Sequence, residues 1–179
     1  EAGLRACLGE AVYGVDDAER AGVLHARLLA SGRTLATAES CTGGLIAKLL
    51  SDRPGASAYF AGGVVAYANR AKTELLGVPA ALIEAEGAVS EAVARAMAEG
   101  ARARFGVDYA LSATGIAGPD GGTEAKPVGT VYVALASREG TEVLHLQLPG
   151  DRASIRQNTA VSILDRLRRA LPLPGGSGT

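Results

Sequence analysis

Aromatic side chains are scarce in this chain, 4% of its 179 residues with no tryptophan. That excludes the rows of stacking platforms on which single-stranded nucleic acids are usually held. An excess of either charge is missing too: 18 Lys and Arg meet 19 Asp and Glu, for a net charge of −1. A domain that grips duplex DNA usually carries a basic face, so no direct nucleic-acid contact is expected. Two cysteines, Cys7 and Cys41, cannot build a disulfide framework, and neither they nor His25 and His145 fall into metal-ligand spacing. No apolar run approaches the ~18 residues that span a bilayer, and no secretory signal pattern opens the chain. A cytoplasmic, reducing setting without membrane contact is the resulting expectation.

What the chain has is apolar material, 47% of residues, and 24 glycines, enough for one domain. The sequence starts at Glu1 rather than Met, and residues 1–15 read as the tail of an upstream domain or a linker. Residues 16–171 read as the domain, and 172–179, with Pro172, Pro174 and Gly175-Gly176-Ser177-Gly178, as an unstructured tail. Asp16-Asp17 predicts a helix start, with Val23, Leu24, Leu28 and Leu29 on its apolar face. A strand at Leu35–Ala38 and a helix from Gly43 to Leu50 follow, then a strand at Gly62–Ala66. Asn69 predicts the cap of a helix carrying Lys72, Leu75 and Leu76, ended by Gly77. Ser90-Glu91 opens a helix lined by Val93, Met97 and Ala101, and Tyr109–Ala113 is the third strand. Val131–Ala136 and Val143–Leu148 flank Arg138-Glu139-Gly140 as a hairpin, and Asp151 caps the last helix, with Ile155, Val161, Leu164, Leu167 and Leu171 as its apolar period. Strands that alternate with helices pair in parallel, whereas a hairpin adds an antiparallel partner. The predicted fold class is therefore α/β, a three-layer α/β/α with a mixed, mostly parallel sheet of about five strands.

Chemistry concentrates in residues 36–44, Ala-Thr-Ala-Glu-Ser-Cys-Thr-Gly-Gly. A strand-to-helix turn puts hydroxyls and backbone N–H groups at the carboxyl edge of a sheet, where α/β folds bind ligands. Plain helix capping by Ser and Thr is the competing account. A second glycine-rich loop spans Thr114–Gly122. Such a loop can bring N–H groups to an anion, or can simply connect two strands. It is neither a Walker loop nor a dinucleotide fingerprint.

Ala38-Glu39-Ser40-Cys41-Thr42-Gly43-Gly44 resembles the signature of the C-terminal domain of the competence/damage-inducible CinA family, which includes nicotinamide mononucleotide amidases. Gly62-Gly63-Val64-Val65-Ala66-Tyr67-Ala68-Asn69 with Lys72, Gly87-Ala88-Val89-Ser90, Thr114–Gly122, Lys126-Pro127-Val128-Gly129-Thr130-Val131 and Pro149-Gly150-Asp151-Arg152 follow in the family's order. The resemblance covers roughly residues 30–170. It implies the same three-layer architecture, and hydrolysis of nicotinamide mononucleotide to nicotinic acid mononucleotide and ammonia, with no metal and no cofactor. A homo-oligomer, a dimer, is also expected, with a competence or recombination protein as a possible partner of a longer protein. The alternative is a non-enzymatic domain that binds nucleotides or proteins.

Amide hydrolysis needs a nucleophile, a base, an oxyanion site and a proton for the leaving amine. Ser40 is the candidate nucleophile, with Cys41 as a rival because a helix N-terminus lowers a thiol pKa. Neither histidine lies in a motif, so the resemblance points to Lys72 as base; a buried lysine can lose its proton near neutrality. Tyr67 is the third candidate catalytic residue: it could bond the serine, lysine or amide, protonate the departing ammonia in place of Lys72, or stack on a pyridine ring. Glu39 either orients Lys72 or is a helix-start acid. Thr42, Gly43, Gly44, Asn69, Thr114 and Gly115 are candidate substrate contacts, and Ser57 a further one. Arg152 is the candidate phosphate clamp, with Arg156 one turn on to assist it.

Overall fold

The computed structural model describes residues 20–172, the first two by backbone alone. The expectations for residues 1–15, the Asp16-Asp17 cap and residues beyond 172 lie outside the described residues. Six helices and five strands are described: α1 Arg20–Ser31, β1 Leu35–Glu39, α2 Leu45–Ser51, β2 Phe60–Val65, α3 Asn69–Leu76, α4 Ala80–Glu86, α5 Glu91–Phe105, β3 Tyr109–Gly115, β4 Thr130–Ala136, β5 Thr141–Gln147 and α6 Arg152–Ala170.

The sheet order is β2-β1-β3-β4-β5. β1 pairs in parallel with β2 and β3, and the β4–β5 hairpin adds antiparallel pairs. β1 is buried at all five positions, as a strand covered on both faces must be. Strand periodicity sends Leu35, Thr37 and Glu39 to one face and Ala36 and Ala38 to the other. On the first face Leu35, Leu111, Val131, Val133 and Leu135 meet Leu24 and Leu28 of α1, Ile46 and Leu50 of α2, and Ile155, Ile163 and Leu167 of α6. On the second the strands offer mostly small side chains, Ala38, Ala110, Ala134 and Ala136, against Val93, Ala94, Met97, Ala98 and Ala101 of α5. Small residues on both partners let α5 lie close to the sheet.

Three local expectations need correction. Ala68, not Asn69, is the N-cap of α3, and it makes no side-chain capping bond; Asn69 is the first helical residue and is exposed. Leu29, expected on the apolar face of its helix, is 45% exposed, because α1 is covered on one side only, by α6. Helix α4 was unanticipated. Its signal is Pro79 before and Gly87 after an alanine-rich run, the pairing that brackets short helices.

Topology fixes where a ligand belongs. The chain leaves β1 for β2 on one side, then crosses to β3 on the other, so β1 and β3 form a switch point. The turns after β1, β2 and β3 all open at this carboxyl edge.

Candidate active site

Ser40 follows β1 directly, its own N–H bonded to Ala113 O at 2.9 Å across to β3. The chain then reverses through Gly43 and Gly44, at φ 59° and 93°, backbone angles open to glycine but strained for other residues. Gly43 N–H returns to Ser40 O at 3.1 Å, which closes the turn.

Lys72 reaches this turn from α3 on the second face. It is 1% exposed, and its Nζ lies 3.1 Å from Ser40 Oγ, 3.0 Å from Ala66 O and 3.2 Å from Tyr67 O. Burial holds the amine below the ordinary lysine value of 10.5, an effect that nearby Cys41 only partly offsets. A neutral amine has two N–H donors and one lone pair. If the two carbonyls take the two donors, the lone pair is left facing the Ser40 hydroxyl.

Glu39 is fully buried on the opposite face, toward α2. Its Oε2 accepts from Gly44 N at 2.9 Å and Ile46 N at 3.0 Å, and its Oε1 from Ala47 N at 2.8 Å. Of its two expected roles it therefore takes the helix-start one and does not hold Lys72. The consequence corrects the expectation for Gly43 and Gly44: both amides are bonded inside the protein, so neither is open to a substrate. The Cys41 and Thr42 amides lie against the Cys41 sulfur.

Cys41 is 5% exposed, and burial pushes its thiol up to about 11. That is the opposite of what a nucleophilic thiolate requires. Thr42 is wholly buried, its hydroxyl without a partner among the described residues, so it cannot meet a ligand from solvent as expected. Its carbonyl accepts from Arg156 Nη2 at 2.7 Å, which anchors α6 to the turn. Thr114 Oγ1 is likewise occupied, donating to Ala88 O at 2.8 Å, and Gly115 packs against Val131 of β4. Lys126 Nζ donates to Glu86 O at 3.0 Å and Val89 O at 2.7 Å, so the loop after β3 and the α4–α5 loop are held together.

Arg152 opens α6, behind the N-cap Asp151, whose Oδ1 accepts from Ser154 N at 2.8 Å. Its guanidinium donates to Gly118 O at 3.0 Å and to the Tyr67 hydroxyl at 2.8 Å. Tyr67 is 58% exposed at the end of the β2 turn. The structure thus gathers Ser40, Lys72, Tyr67, Arg152 and Arg156 around one edge. Ser57 does not join them: it lies in the 3₁₀ turn Ala56–Ala58 ahead of β2, at the other edge of the sheet. His25 pairs with the Tyr59 hydroxyl at 3.0 Å, and His145 stacks on Tyr132, so neither histidine serves Ser40. An apolar hollow of about 200 Å³ between α1, α2 and α6 includes His25 and Tyr59 but not Ser40. Among the described residues, no three His, Cys, Asp or Glu gather as a metal-ligand set, and no helix is long and apolar enough to cross a membrane.

The sequence missed the carbonyls of Ala66 and Tyr67 that fix Lys72, because backbone acceptors leave no compositional signal. It also left the role of Glu39 open, since a helix-start acid and a lysine partner have the same spelling.

Comparison with known proteins shows the family and the fold. The profile of the CinA C-terminal domain matches residues 17–171. A CinA-like protein of Mycolicibacterium gilvum is 60% identical over 144 residues, 80% of this chain and 34% of that protein. A CinA-like protein of Geobacter sulfurreducens is 62% identical over 140 residues, 78% of this chain and 34% of that protein. The chain therefore spans about a third of the length of these curated relatives. Among solved structures, the competence/damage inducible protein CihA from Agrobacterium tumefaciens superposes with a TM-score of 0.77 at 40% identity, covering 80% of this chain and 91% of that one. A competence-damaged protein (CinA) superfamily protein from Escherichia coli gives 0.80 at 30% identity, covering 90% and 98%.

Proposed function

The chain belongs to the CinA C-terminal domain family, and from that membership and the Ser40–Lys72 pair we propose that it hydrolyses the carboxamide of nicotinamide mononucleotide. The observation that carries the reading is a buried lysine Nζ 3.1 Å from a serine Oγ, with two carbonyls beside it.

In the proposed reaction Ser40 Oγ attacks the carboxamide carbon and its proton passes to Lys72 Nζ. The carbonyl oxygen becomes an oxyanion beside the Ser40 turn. Collapse breaks the C–N bond, and the proton on Lys72 goes to the departing nitrogen as ammonia. Water then attacks the acyl-serine and gives a proton to Lys72, the ester C–O bond breaks to release nicotinic acid mononucleotide, and Lys72 returns the proton to Ser40 Oγ. Tyr67 flanks the ring of the substrate, and Arg152 receives the phosphate in a charge-assisted fork.

Ammonia release from nicotinamide mononucleotide tests the reading. Turnover by the wild type and a loss of ~10²-fold or more in both Ser40→Ala and Lys72→Ala are expected. The double variant should be little worse than either single one, because the two residues act as a unit. A Ser40→Ala enzyme that keeps a tenth of wild-type turnover would exclude the acyl-serine.

A further inference from the structure

We infer that Glu39 makes the Ser40 turn selective for a neutral carboxamide over the carboxylate into which it is converted, an inference that rests on the proposed amidase reading. Glu39 is fully buried and no ion pair balances it among the described residues. Its two oxygens accept three N–H bonds and donate none, the pattern of an ionised carboxylate. Capping α2 alone would not require this, since a neutral Ser, Thr or Asn satisfies a helix start without burying a charge.

The position of that charge explains its presence. Glu39 is the residue before the nucleophile, and period-two alternation turns its carboxylate away from Lys72 and under the turn on which Ser40 sits. An acid bound over Ser40 meets this internal anion across the turn. An uncharged amide pays no such penalty. The hydrolytic product is thereby disfavoured relative to the substrate from which it differs by one group. Arg156, which donates to Thr42 O, and Lys72, against Ser40 Oγ, draw the acid in, and Glu39→Gln removes the charge that opposes them.

Equilibrium binding in a Ser40→Ala background tests this, with nicotinamide mononucleotide and nicotinic acid mononucleotide as the two probes. The amide should bind more tightly than the acid. Adding Glu39→Gln should shift the acid-to-amide affinity ratio toward the acid on the order of tenfold, the scale of one unit charge acting across roughly 10 Å of protein. Glu39→Asp, which keeps the charge, should leave the ratio near its starting value. An acid that already binds as tightly as the amide overturns the inference, and it does so even if Glu39→Gln fails to fold. So does a ratio unmoved by Glu39→Gln while both affinities fall together, which is the signature of a purely structural role. A wild-type enzyme that neither binds nor hydrolyses nicotinamide mononucleotide removes the amidase reading itself. Normal turnover with an unmoved ratio removes only the role of Glu39.

Discussion

At the scale of single residues, burial decides what Ser40, Lys72 and Cys41 can do. Burial lowers the folded-state value of Lys72 below 10.5, so between the two values the unfolded chain binds more protons than the folded one. Stability then rises with pH across that window, and below the folded value the full penalty of the buried ammonium is felt. Chemical denaturation at several pH values should show this rise in the wild type. The rise should shrink in Lys72→Met, which removes the titrating group. Turnover should climb with pH in the same direction as the amine loses its proton, and a flat pH–rate profile would argue against Lys72 as base. Cys41 shares the turn but not the role, since a thiol pushed up to about 11 is protonated at neutral pH. Cys41→Ala should keep turnover within a few-fold of the wild type, at a cost of about 1 kcal/mol in stability from the small void. A loss as deep as that of Ser40→Ala would make the thiol the nucleophile.

At the scale of elements, the active lysine depends on how closely two helices approach. Gly100 of α5 faces the end of α3, where a Cβ would stand 1.8 Å from Leu76 O. That carbonyl is backbone and has no free end to swing away, so a methyl group there must push the helices apart. Lys72 lies one turn earlier on α3, with Leu76 on the same buried side. Gly100→Ala should therefore destabilise by about 2 kcal/mol, within the range of overpacked cores, and should also lower turnover, although residue 100 touches no substrate. Urea unfolding and ammonia release on the same sample check both. Full activity with unchanged stability would mean that α3 can shift without moving its lysine.

At the scale of the whole molecule, the site exists because three connections end at one sheet edge. Arg152 spans them: it belongs to α6, donates to Gly118 in the loop after β3, and holds Tyr67 in the turn after β2. Arg152→Ala should weaken use of nicotinamide mononucleotide ~30-fold, the equivalent of one lost charge-assisted contact. The riboside, which lacks the phosphate, should be affected far less, and equal losses on both would give Arg152 a structural role instead. Much of this was legible in the chain. Alternation of Leu35, Thr37 and Glu39, the glycines after Thr42 and the helical period of Val93, Met97 and Ala101 each encode a local choice. Local choices of that kind determined the α/β class, the hairpin and the turn bearing Ser40. Distance in the sequence limited the rest. Ser40 and Lys72 are 32 residues apart, and only the return of β2 beside β1 makes them neighbours. Whether Thr42 and Thr114 face solvent or the interior, and whether Glu39 serves a lysine or three amides, depends on which atoms the packed layers bring within 3 Å. Tertiary structure alone decided those questions, because a side chain's partners are set by the layers that close over it and not by its neighbours along the chain.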